Sequence, residues 1–214
     1  IAALAVFAWA EMRAEEPLLP MGLFRNPIFL VSAVVTFLTG VAMFGSLSYI
    51  PLFVQGVIGS SATNSGFVTM PMMIAMAIAS AISGQIMSRV GRYRLLGVTG
   101  LLIMAAGVFM LSRMDVHSTN FTATRNMVIT GIGLGMSLPL FMLAVQNTVP
   151  HRVMGVSTST MQFLRSVGGT MGVAIMGSMI NSSLSSGLVA NMPAQVRETA
   201  PPALLQQLSN PQFL

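Results

Sequence analysis

Few residues in this chain are equipped for chemistry, and their positions restrict what they can do. Arg165 lies inside a long apolar run, whereas the five acids, Glu11, Glu15, Glu16, Asp115 and Glu198, all lie outside such runs. The two histidines, His117 and His151, fall in polar segments separated by a further apolar run. No HExxH, GxSxG or phosphate-binding GxxxxGK[ST] pattern occurs, and no carboxylates pair at catalytic spacing. With no cysteine there is neither thiolate nor disulfide. The expectation is a protein without catalytic residues, metal or cofactor, and not an enzyme.

Composition points to the environment instead. Only 7% of residues are charged and 54% are hydrophobic, with a mean hydropathy of +0.79. A soluble domain carries about 25% charged residues, so this chain belongs in a bilayer. All ten basic residues are arginine. They cluster at the ends of apolar runs, which favours a membrane protein over a nucleic-acid binder.

The elements that must hold these residues follow from the apolar runs. Residues 1–10 are too short to cross and read as the end of a transmembrane helix, with 11–27 a cytoplasmic loop. Five spans are expected at about 28–49, 67–87, 95–111, 126–149 and 156–180. Pro51 is expected to kink or end the first, and Pro71 to sit in the first turn of the second. Pro139 should bend the fourth. Residues 181–214, polar and proline-rich, read as an external loop that stops before a final helix. The fold class is all-α, a polytopic transmembrane helical bundle, and the chain reads as an internal fragment.

Alternating spans place Arg13, Arg25, Arg89, Arg92, Arg94 and Arg152 on one side, against Arg113, Arg125 and Arg197 on the other. By the positive-inside rule, segment 88–94 is cytoplasmic, while 113–125 and 181–214 are external. The location is a cell (inner) membrane, multi-pass.

Two stripes could line an aqueous path. On the fifth span Thr158, Gln162, Arg165, Gly169, Gly172 and Met176 share a face. An arginine at mid-bilayer costs about 2.5–3.5 kcal/mol, so Arg165 should face water or protein. The alternative is that it snorkels to the interface. On the first span Ser32, Thr36, Thr39, Met43 and Ser46 form a second stripe, whose hydroxyls can equally bond their own helix. With Gln146, the candidate substrate path comprises Thr36, Thr39, Met43, Gln146, Gln162 and Arg165. The pairs Gly131/Gly135 and Gly168/Gly172 are spaced for close helix packing. Twenty methionines suit either an adaptable hydrophobic site or ordinary lipid-facing filling.

The segment from Gly84 to Arg94 is more particular than a topology signal requires. Gly84, Arg89, Gly91, Arg92 and Arg94 match, at the right spacing, the cytoplasmic-loop signature of the major facilitator superfamily, with Ser88 where that signature has aspartate. Further stretches resemble its EmrB/QacA branch of fourteen-helix drug:proton antiporters. These are Glu16-Pro17-Leu18-Leu19-Pro20, Leu23-Phe24-Arg25-Asn26, Tyr49-Ile50-Pro51-Leu52-Phe53-Val54-Gln55, Ala144-Val145-Gln146-Asn147 and Phe163-Leu164-Arg165-Ser166-Val167-Gly168-Gly169. The resemblance runs from Glu16 to about Asn181.

It implies the second half of that fold, incomplete, with Gly84, Ser88, Arg89, Gly91, Arg92 and Arg94 as a gating loop. It also implies proton-coupled multidrug efflux by alternating access. The partners would then be the lipid bilayer, small hydrophobic or cationic substrates, and protons bound by carboxylates in the missing half. Nucleic acid is not among them, and a periplasmic adaptor protein is a candidate. An exporter of one metabolite or lipid shares the fold, and a membrane scaffold or sensor is the reading from another class.

The arginine asymmetry is directly testable. In a cysteine-free background, Ser88→Cys should be shielded from an impermeant thiol reagent in intact cells and Ser118→Cys should be labelled. The reverse pattern would overturn the orientation.

Overall fold

In the computed structural model, residues 21–90 and 93–190 are described. They form five long helices: α1 (Pro27–Gly56), α2 (Ala62–Val90), α3 (Tyr93–Ser112), α4 (Asn120–Gln146) and α5 (Met154–Ala190). Short 3-10 turns at Met21–Arg25 and His151–Val153 lead into α1 and α5. No strand occurs among the described residues. Five of these helices are long and apolar enough to cross a membrane.

Local chemistry sets most of the ends. Asn26 caps α1 by accepting from the Ile28 amide at 2.9 Å, and Pro27 takes the first position, where no N–H is needed. Thr119 caps α4 through the Thr122 amide. The Ser61 hydroxyl accepts from the Asn64 amide at 3.3 Å and starts α2 well before the apolar run. Pro71 therefore lies in the interior of α2, not in its first turn. Pro51 likewise does not end α1, which runs on to Gly56. Fully buried Val54 and the Gln55 amide, which donates to Ser65 Oγ at 2.9 Å, hold the extra turn.

The remaining boundaries also moved outward from the apolar runs. Residues 120–125, expected in a polar loop, are the first turns of α4, and residues 181–190, expected in the external loop, are helical. Hydrophobicity marks the membrane-embedded part of a helix, and these helices continue past it. The α4 C-terminus instead falls short, at Gln146, because Pro150 disfavours helical geometry just before it. Residues 1–20 and 191–214 lie outside the described residues.

The bundle is organised around α4. Gly131 and Gly135 lie against the backbone of α2, where a methyl on either would meet the carbonyl oxygens of Met72 and Met76. Gly133, between them, meets the backbone of α3 at Met104, and Gly107 of α3 answers against Thr130. Hydrogen bonds reinforce both seams. Ser83 donates to the Met136 carbonyl at 3.2 Å, and buried Asn126 donates to the Met110 carbonyl at 3.1 Å. By contrast, α2 and α3 barely touch each other.

The other tight pair is α1 with α5. Gly40 packs on the Arg165 carbonyl and Gly168 on the Phe37 carbonyl, a reciprocal backbone contact, with Gly172 against Val41. The Tyr49 hydroxyl donates to the Val173 carbonyl at 2.6 Å.

Two buried clusters join the pairs at opposite ends. One contains Val54, Val68, Met72, Ala123, Met127 and Leu134. The other contains Phe29, Ala33, Val145, Val149 and Met161, with the Phe24 ring edge-on to Phe29 at 5.2 Å. The second joins the start of α1, the end of α4 and the start of α5, as alternating spans require. Leu38, Phe67, Leu95, Leu102 and Phe109 are each more than half exposed, a surface suited to hydrocarbon and not to water.

The glycine seams give a stability prediction. Gly135→Val should lower the melting temperature and folded yield of the solubilised protein, an overpacking cost of about 1–3 kcal/mol. Gly84→Ala, where nothing stands within 4 Å of an added methyl, should leave both unchanged. Equal behaviour of the two variants would contradict the packing described.

Candidate substrate path and gating segment

The expected gating loop is largely helix. Gly84, Ser88 and Arg89 sit in the last two turns of α2, which continues to Val90. Gly91 and Arg92 lie outside the described residues, and Arg94 is in the first turn of α3. Within these turns Ser88 Oγ donates to the Gln85 carbonyl at 2.8 Å, and Arg89 suits the negative end of the helix dipole. Arg89 is exposed. Gly84 faces open space, leaving room for another backbone.

The hydroxyl stripe of α1 is mostly packed. Thr39 is 1% exposed and donates to the Thr36 carbonyl at 2.8 Å. Ser32 and Ser46 are buried too, and Met43 packs against the first core cluster. The side of α1 that meets α5 is a different one, carrying Phe37, Gly40, Val41 and Phe44. Of the stripe's candidate path residues, Thr36 alone is half-buried with a surface share and not committed to the core.

On α5 the expected stripe divides. Gly169, Gly172 and Met176 lie against Phe44, Val41 and Gly45 of α1. Thr158, Gln162 and Arg165 follow the same side nearer the helix start, and Gln146, the last residue of α4, reaches Thr158 Oγ1 at 3.5 Å. Gln146, Thr158, Gln162 and Arg165 thus form a polar line running inward from the end with more arginines. Arg165 stands eleven residues into α5, about 16 Å along the axis. It is half-buried, and Gln162 is exposed.

Beside that line runs a strip that the sequence reading missed. Ser159, Gln162, Ser166 and Thr170 are all exposed and recur every three or four residues. The lipid-like stripe of Phe163, Met171 and Ile175, each about half exposed, lies next to it. The signal was present as hydroxyl periodicity. In the sequence it competes with the spacing of Arg165 and the glycines, which reports packing on α1.

Electrostatically the site is cationic and unbalanced. Asp115, the one acid among the described residues, serves its own turn by accepting from the His117 amide at 3.0 Å and from Ser118 Oγ at 3.3 Å. Arg113 stacks over Phe109 at 5.6 Å, and Arg125 donates to Asn126 Oδ1 at 3.2 Å. Arg165 has no hydrogen-bond or ion-pair partner among the described residues. No cluster of His, Asp or Glu able to hold a metal occurs among them.

Comparison with known proteins agrees with this architecture. Residues 4–173 match the family model of the Major Facilitator Superfamily. The chain is 37% identical to the multidrug transporter protein MdtP of Bacillus subtilis, over 96% of its own length and 41% of that protein's. It is 32% identical to multidrug resistance protein 3 of the same organism, over 96% of this chain and 40% of the relative. A tetracycline resistance determinant of Streptomyces rimosus is 29% identical over all of this chain and 62% of its own length. The chain therefore spans less than two thirds of each of these relatives. A family match over most of its length, on five apolar helices packed through glycine, makes this chain a member of the Major Facilitator Superfamily.

Proposed function

We propose that the protein is a secondary active exporter of hydrophobic or cationic drugs, and that this chain supplies most of one of its two helical bundles. The observation that carries this reading is Arg165. It is a charge about 16 Å along a helix long and apolar enough to span a membrane, beside exposed polar residues of α5, with no acid among the described residues to neutralise it. A lipid-facing scaffold would have no use for so costly a group, and transport across a shared aqueous cavity gives it water, an opposing carboxylate or substrate. The relatives named for multidrug transport and tetracycline resistance support the same direction.

In alternating access, two bundles rock about a midplane site, and proton entry drives export. The carboxylates for proton coupling would lie outside the described residues. In this reading Gln146, Gln162 and Arg165 line the path from α4 and α5, Thr36 lines it from α1, and Thr39 and Met43 support it from within the bundle. The final turns of α2, with Gly84, Ser88 and Arg89, and the adjoining Gly91, Arg92 and Arg94, act as the gating segment at the cytoplasmic face. The open space at Gly84 would receive the other bundle. Such a device moves its substrate without changing it, so no enzymatic step is required.

Arg165→Leu removes both the charge and its burial cost, so the protein should insert normally and export poorly. A fall of at least about tenfold per molecule, equivalent to ~1.4 kcal/mol, is expected in dye efflux from proteoliposomes. Arg165→Lys keeps the charge without the planar fork and should retain intermediate activity. Wild-type efflux by the leucine variant would mean that Arg165 only snorkels.

A further inference from the structure

Because α2 and α3 barely touch, a groove opens between them with α4 as its floor. It holds about 360 Å³ and is lined by residues that include Ala75, Ile78, Ile82 and Ile86 of α2, Leu96 of α3 and Met136 of α4. Ala75 and Ala79 leave the room that larger side chains would fill. Ser83, the polar residue of the lining, is already satisfied by the Met136 carbonyl, so the groove presents an apolar wall.

Its length and its charged end identify an occupant. From Ala75 to Ile86 the groove runs eleven residues, about 16 Å at 1.5 Å per residue, or half of a ~30 Å hydrocarbon core. It is one leaflet deep. One turn beyond Ile86 stands Arg89, exposed in the last turn of α2. Asp115, the one acid among the described residues, belongs to the opposite end of the bundle. We infer that this groove binds one anionic phospholipid, with an acyl chain along α2 and the headgroup phosphate at Arg89. Arginine suits a phosphate because its planar fork offers paired donors. The inference does not depend on the transport reading, since it concerns retention of a lipid and not passage of a substrate.

The test is native mass spectrometry of the full-length protein, solubilised from nanodiscs containing equimolar phosphatidylglycerol and phosphatidylcholine with identical chains. Wild type should retain one phosphatidylglycerol in preference to phosphatidylcholine by about fivefold, the factor expected for one arginine near an anionic surface. Arg89→Gln, an exposed change that does not threaten folding, should retain both lipids equally. Ala75→Phe, checked for a monodisperse elution profile, should lose the bound lipid. Three results would overturn the inference: no lipid held by wild type, as when another helix fills the groove; equal retention of the two lipids by wild type; or a preference unchanged in Arg89→Gln.

Discussion

Apolar side chains gain nothing by turning inward when the surroundings are hydrocarbon, so helices in a bilayer must hold together by close contact. This bundle does so through glycine. At Gly131, Gly135 and Gly133 on α4, and at Gly40 and Gly168 between α1 and α5, backbone lies directly against backbone. These contacts bring Ser83, Asn126 and Tyr49 within reach of carbonyls on neighbouring helices. The polar bonds then add specificity to seams that glycine has already closed. No buried side-chain polar atom is left without a partner among the described residues.

Such packing leaves other faces free. The α1–α5 seam uses one side of α5, its aliphatic stripe suits lipid, and the strip of Ser159, Gln162, Ser166 and Thr170 belongs to neither. A helix that packs on a partner along one side and exposes an aliphatic stripe and a polar strip on the others carries three kinds of residue around one circumference. That division accounts for the polar content of α5 despite its membrane location. It also places Arg165, half-buried, at the border between the helix seam and the polar strip, with its carbonyl packed on Gly40.

Much of this was legible in the sequence, for a physical reason. Twenty-odd apolar residues in succession have one common explanation, so five spans and their alternation followed from hydropathy, and paired glycines marked seams on both α4 and α5. Helix ends were less legible. Ser61 and Thr119 cap in polar stretches that read as loops, and Val54 with Gln55 carries α1 past Pro51. The distribution of faces was harder still. Thr39 and Arg165 each sit in a polar stripe, yet one is buried against its own helix and the other is not, because tertiary contacts decide which side of a helix is covered. Periodicity identifies a face without saying what meets it.

The water-facing assignment of the α5 strip is open to direct measurement. These 214 residues contain no cysteine, and single cysteines at Ser166, Thr170, Met171 and Ile175 in an otherwise cysteine-free full-length protein report only their own surroundings. A small water-soluble thiol reagent should modify Ser166→Cys and Thr170→Cys readily, and an exported drug should slow that reaction. Met171→Cys and Ile175→Cys, facing hydrocarbon, should stay unreactive. If all four positions were equally inert, the strip would face lipid or protein, and no aqueous path along α5 could be maintained.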